Sequence, residues 1–126
     1  MQHALNWFEI PCAQIDRAQA FYERLLGAAL VRENYGGPGM EMAVFPADGE
    51  EAVRGALQAG PGAARPGEGG TLGYLNAGPS IDAVLARVQP AGGRIHTPKT
   101  ALPPGLGFFA HIIDTEGNRV GLHAPA

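Results

Sequence analysis

Cysteine is almost missing from this chain: Cys12 stands alone among 126 residues. A lone cysteine excludes a disulfide framework within the chain and fits a reducing compartment. No run of lysines and arginines occurs, and the formal net charge is only −3. A nucleic-acid groove and an anionic-membrane patch are therefore not expected. No apolar stretch approaches membrane-spanning length, so no membrane partner is expected either. The start, Met1-Gln2-His3-Ala4-Leu5, lacks a basic region followed by an apolar one. It does not read as a signal peptide, and the cytoplasm is the expected location. The length suits one domain with one core.

What the chain has in plenty is glycine, 19 residues, and proline, 11 residues. They cluster at Gly36-Gly37-Pro38-Gly39, from Gly60 to Gly70, and at Pro103-Pro104-Gly105. This is punctuation between short strands. Residues 5–10 alternate and are rich in aromatic and branched side chains, which predicts a half-buried strand. Asp16 is placed to cap a following helix whose Ala18, Phe21, Tyr22, Leu25 and Leu26 form one apolar stripe. Gly27 stands where a left-handed cap ends that helix. Strands are expected near 28–34, 40–46 and 53–59.

The same order returns after a linker at about 60–70. A strand is expected at 71–77, then a helix capped by Ser80 with Ile81, Val84, Leu85 and Val88 as its stripe. Pro90 should distort its last turn, and Gly92-Gly93 should end it. Strands follow near 93–97, 107–113 and 119–123. The pattern is βαβββ twice, with module one at about 5–59 and module two at about 71–123. A repeated unit that cannot bury its own sheet predicts two units packed together. The fold class expected is α+β.

Two segments sharpen this. Ile15-Asp16-Arg17-Ala18, Phe21-Tyr22 and Leu26-Gly27 lie near one end, and Asp114-Thr115-Glu116-Gly117-Asn118 near the other. With the duplicated order they resemble the vicinal oxygen chelate superfamily, which includes glyoxalase I, extradiol dioxygenases, fosfomycin-resistance enzymes and bleomycin-binding proteins. The ending Gly121-Leu122-His123-Ala124-Pro125 resembles a bacterial subgroup known only as glyoxalase-like. The resemblance implies two βαβββ modules forming a cupped, partly open mixed sheet with helices outside, a ligand in the cup, and a homodimer. The scaffold hosts many chemistries, so it does not by itself assign one.

Strand alternation then sorts the side chains, because neighbours point to opposite faces. Phe8 and Ile10 should face the helices, leaving Leu5, Trp7 and Glu9 toward the cup. Val120 and Leu122 should face the helices, leaving Arg119, Gly121 and His123 toward the cup. Val53 and Leu57 go to the core, and Arg54, Ala56 and Gln58 to the cup. Leu72, Tyr74 and Asn76 are the cup candidates of the fifth strand. In metal-dependent relatives the resemblance implies one His, Gln or Glu ligand per strand on this face. The matching positions here are Trp7, about Ala56, Leu72 and Gly121, none of which can ligate a divalent metal through its side chain. No cofactor and no divalent metal is therefore expected.

The remaining polar groups suit a small organic ligand. Glu9 and His123 are the candidates for an acid–base pair or for hydrogen-bond partners of a bound ligand. Trp7, Arg54, Gln58, Tyr74, Asn76, His111 and Arg119 are the candidate ligand-binding residues. Trp7 either offers a stacking surface or fills the cup. Glu9 alternatively reads as a structural ion-pair partner of Arg54, and His111 as a hydrogen-bonded core residue. Cys12 reads as packing, Lys99 as a loop cation, and Glu41 as facing either side of its strand. The glycine-rich segments match no phosphate loop and read as mobile linkers.

Four functions follow. The first is metal-independent binding of a small organic molecule, of the sequestering kind, with bleomycin itself not indicated by so slight an acidic excess. The second is a lyase or isomerase that moves protons between Glu9 and His123. The third is a metalloenzyme with ligands relocated to Glu9, His111, His123 and Glu41. The fourth is a subunit that regulates or scaffolds a partner.

Overall fold

Alternating apolar residues and glycine punctuation produce short strands, and two amphipathic stripes produce two helices. The computed structural model describes residues 2–126. Among them the order is β1 (Trp7–Pro11), α1 (Ile15–Leu26), β2 (Val31–Glu33), β3 (Glu41–Val44), β4 (Arg54–Ala59), β5 (Tyr74–Asn76), α2 (Ile81–Ala91), β6 (Arg94–Ala101), β7 (Phe108–Ile113) and β8 (Arg119–Ala124). This is βαβββ twice.

Each module forms its own four-stranded mixed sheet, ordered β1-β4-β3-β2 and β5-β8-β7-β6. In both, the first strand lies parallel to the fourth while the other pairs are antiparallel. The helices cover one face of each sheet. Ile15, Ala18, Phe21, Tyr22 and Leu25 of α1 and Ile81, Val84 and Val88 of α2 are buried there. Ala43, Leu57, Ala110, Ile112, Val120 and Leu122 meet them from the strands in one continuous core. The opposite face of each sheet carries no helix and is the cup face.

Helix α1 begins one residue before Asp16, and its N-cap position, Gln14, makes no side-chain capping bond. Asp16 sits in the first turn and pairs with Arg32 instead. Gly27 does adopt the left-handed conformation (φ 65°), and its N–H donates to the Glu23 carbonyl. Ser80 occupies the N-cap of α2, also without a side-chain bond. Pro90 is accommodated in the final turn of α2, one residue before its end. At Gly55 a Cβ would lie 2.3 Å from the Phe8 ring, so this glycine lets Phe8 lie flat across β4 and reach Phe45.

The missing cap of α1 comes from the other module. The Glu116 carboxylate accepts the backbone N–H groups of Ala13 and Gln14, each at 2.9 Å. It also accepts Arg17 Nε at 2.7 Å and Thr115 Oγ1 at 3.0 Å, and its side chain is 0% exposed. Burial works to raise this carboxyl, but the bonds from Arg17, Gln14, Thr115 and Ala13 outweigh it and hold the group below its ordinary value. An acidic group at a helix N-terminus satisfies free N–H donors and the helix dipole together.

Asp114 and Asn118 extend this junction. Tyr22 Oη donates to Asp114 Oδ2 at 2.6 Å, and burial with the neighbouring Asp114 carboxylate raises the phenol well above its ordinary pKa. Asn118 Nδ2 donates to the Pro11 carbonyl at 2.7 Å, and Asn118 Oδ1 accepts the Gly67 N–H at 3.0 Å. The glycine-rich segment read as a free linker is thus tied down at Gly67. Helices α1 and α2 also touch directly, with Arg87 Nε on the Leu25 carbonyl and Arg24 Nη1 on the Pro90 carbonyl. The two sequence segments that looked diagnostic are therefore the parts that bind module to module.

Candidate functional site

The cup face of the first module is built by β1, β4, β3 and the loop after β2. The β1–β4 register sets Trp7 beside Arg54 and Glu9 beside Ala56. Met42 lies beside Gln58, and Val44 beside Ala56. Ala43 and Phe45 belong to the helix-side core, so the open question about β3 is settled with Met42 and Val44 toward the cup. Glu41 consequently falls on the helix side and leaves the set of cup candidates.

Trp7 Nε1 donates to Glu9 Oε2 at 3.1 Å, and the Trp7 ring meets Tyr35 edge-on at 6.3 Å between centroids. Trp7, Glu9, Tyr35, Gly36 and Met42 line a shallow cavity of about 300 Å³. Arg54 does not pair with Glu9. Its guanidinium donates to the carbonyls of Ala47, Gly49 and Ala52 and pins the β3–β4 loop. Gln58 reaches toward Gly36, where its amide nitrogen would stand 3.4 Å from an added Cβ.

The cup face of the second module carries a polar chain. In register, Tyr74 lies beside Gly121 and Asn76 beside His123. His111 is on the other side of Gly121, and Phe109 beside His123. His111 Nε2 and Tyr74 Oη are 2.8 Å apart. Arg119 reaches His111 Nδ1 with Nη2 at 2.7 Å and Nε at 3.3 Å. Thr97 Oγ1 lies 3.4 Å from the same nitrogen and 2.9 Å from His96 Nδ1. His111 is 7% exposed, and burial, followed by the positive charge of Arg119, lowers its pKa. It is both hydrogen-bonded and part of the cup face, which joins the two readings of the sequence.

His123 Nε2 is bonded to the Leu106 carbonyl at 2.7 Å, and Asn76 Oδ1 accepts the Gly78 N–H at 2.8 Å in a local turn. Glu9 and His123 stand on different modules, each with another partner, and share no hydrogen bond. Lys99 lies within β6 rather than in a loop. It pairs with Asp82 of α2 at 3.2 Å and sits over the Phe108 ring. Cys12 is buried and its thiol is pushed up to about 12 by burial and then by Glu116 and Asp114, which makes it a poor nucleophile.

The positions that the sequence resemblance assigns to metal ligands carry side chains without donor atoms for a divalent ion. Trp7, Ala56 and Gly121 lie on the cup faces, while Leu72 precedes β5. At Gly121 even the room for a side chain is taken, because a Cβ there would lie 2.4 Å from the Tyr74 ring. The donor set does not fit a divalent metal at these places.

Sequence reasoning missed Tyr35, Met42, Phe109 and Thr97. Met42 was hidden by the even apolarity of its strand. Tyr35 lies in a loop, where alternation has no meaning, although an aromatic residue beside Gly36-Gly37 is an available signal.

The family model described as Glyoxalase/Bleomycin resistance protein/Dioxygenase superfamily matches residues 4–122. The chain belongs to this superfamily. Its fold is shared with a glyoxalase/bleomycin resistance protein/dioxygenase domain from Frankia sp. EAN1pec, at TM-score 0.71 and 17% identity over 97% of each chain. It is also shared with the trypanothione-dependent glyoxalase I of Leishmania major, at TM-score 0.69 and 14% identity over 98% of this chain and 87% of that one. A glyoxalase-related enzyme from Fulvimarina pelagi superposes at TM-score 0.64 and 18% identity, over 98% and 88% of the two chains. At such identities the likeness is one of fold. No protein of curated function matches the sequence significantly.

Proposed function

We propose that this superfamily member binds a small organic molecule on its cup faces without a divalent metal. The observation that supports this best is the Arg119–His111–Tyr74 chain, a connected set of polar side chains on the helix-free face of a sheet. Polar side chains held in place next to aromatic surface, here Phe109 and Tyr74, are what a ligand site needs for orientation and area. The cavity beside Trp7, Glu9 and Tyr35 offers the second half of such a surface. Ligand contacts are assigned to Trp7, Glu9 and Tyr74, with His111 and Arg119 holding Tyr74 in place. Arg54, Gln58, Asn76 and His123 shape the rims. A homodimer completes the picture, since it would cover the edges left open by two separate sheets.

Mass spectrometry of small molecules released from the freshly purified protein, with metal analysis of the same sample, tests the reading. It expects an organic ligand and less than about a tenth of an equivalent of divalent metal. Stoichiometric metal would overturn it. Proton transfer between Glu9 and His123 in a lyase or isomerase requires both side chains to face one ligand. Full turnover of an identified substrate by a Glu9→Gln protein would exclude that chemistry.

A further inference from the structure

We propose that Tyr74 is a one-way hydrogen-bond donor that selects ligands carrying an acceptor oxygen on a planar apolar body, with His111 and Arg119 as the positioning residues that fix its polarity. This rests on the reading of the cup as a ligand site. The Arg119 guanidinium has donors and no acceptor. Its Nη2 and Nε both reach His111 Nδ1, so that nitrogen carries the lone pair. A neutral imidazole with a bare Nδ1 holds its proton on Nε2. The Nε2–H therefore donates to Tyr74 Oη across 2.8 Å. Tyr74 cannot return its own proton along that line. Among the described residues no other acceptor is bonded to its hydroxyl, and the residue is 50% exposed. The phenolic proton is thus left for an acceptor that arrives from the cup.

The surroundings define what carries that acceptor. Phe109 meets the Tyr74 ring edge-on at 6.3 Å and the His111 ring at 5.4 Å, giving an aromatic floor. Gly121 lets the Tyr74 ring lie against β8. The position that corresponds to a metal ligand in relatives has become the seat of a hydrogen-bond donor. Carbonyl, carboxylate and phenolate oxygens on flat apolar groups share the required chemistry. A ligand that only donates leaves the Tyr74 proton without an acceptor.

Two measurements on the intact protein test this. Long-range ¹H–¹⁵N correlation of the histidine rings at pH 7 should show His111 protonated on Nε2 and bare at Nδ1. Arg119→Met should admit the other tautomer, and Arg119→Lys, which restores a donor, should reverse that change. Titrations monitored by NMR then compare acetophenone and benzoate, a carbonyl and a carboxylate acceptor, with pyrrole, which only donates. Tyr74→Phe should weaken acetophenone by about fivefold, the value of one neutral hydrogen bond, weaken benzoate by more because its acceptor is charged, and leave pyrrole unchanged. A proton on His111 Nδ1 in the unaltered protein would overturn the assignment. So would acceptor probes that bind Tyr74→Phe as well as they bind the original. Those results leave the ligand site standing, whereas no perturbation of either cup face by any probe would remove both proposals.

Discussion

Glu116 does for α1 what the helix's own first residues do not. Its buried carboxylate closes the helix N-terminus and clamps Arg17 from a distant part of the chain. Glu116→Ala strands two N–H donors and is expected to cost about 2–3 kcal/mol in urea unfolding, the sum of a lost cap and a charged hydrogen bond. A loss below about 0.5 kcal/mol, the range of an ordinary surface change, would contradict the role. Gly55→Ala is expected to cost about 1–3 kcal/mol by overpacking, because the added methyl must push Phe8 away from Phe45. Neither effect was legible in the sequence. Asp16 is a sound local cap candidate, and no local rule points a helix start to a carboxylate about a hundred residues later.

The strands show where local patterning suffices. β1, β4 and β8 each pack one face under the helices and leave polar side chains partly open on the other, and alternation sorted Trp7, Phe8, Arg54, Leu57, Val120 and His123 correctly. β3 defeats it, because Glu41-Met42-Ala43-Val44 offers apolar residues to both sides. β6 runs four residues beyond the expected end at 97 because bulges between Ile95 and Thr100 let Pro98 stay in an edge strand. That extension carries Lys99 back to α2. The β7–β8 hairpin holds the glycine-rich segment through Asn118 and Gly67. Asn118→Ala should free that segment and raise the rate of cleavage after Glu68 by a glutamate-specific protease, with helix content by circular dichroism unchanged. Cleavage at the original rate would show that other contacts hold the segment.

For the whole molecule, two titrations act in the same direction. His111 has a folded pKa below the ordinary 6.5, so the unfolded chain takes up its proton first and stability falls as pH drops below that value. Glu116 has a folded pKa below the ordinary 4.5, so its contribution is present above that value and is lost as the folded group protonates. Thermal unfolding against pH should decline in these two windows, and His111→Gln should remove the upper one alone. An upper window that survives the substitution would assign it elsewhere. Sedimentation should give a dimer, and a monomer at micromolar concentration would remove the proposed cover of the sheet edges. The duplicated βαβββ order was readable from periodicity and punctuation. The two separate sheets and their polar junction were not, because they depend on contacts between modules. The central claim is that the cup faces take an organic ligand without a metal. An NMR titration of ¹⁵N-labelled protein with acetophenone in the presence of EDTA tests it most directly. Saturable shifts are expected at Tyr74, Phe109 and His111; shifts that appear only after a divalent metal is restored would contradict metal-free binding.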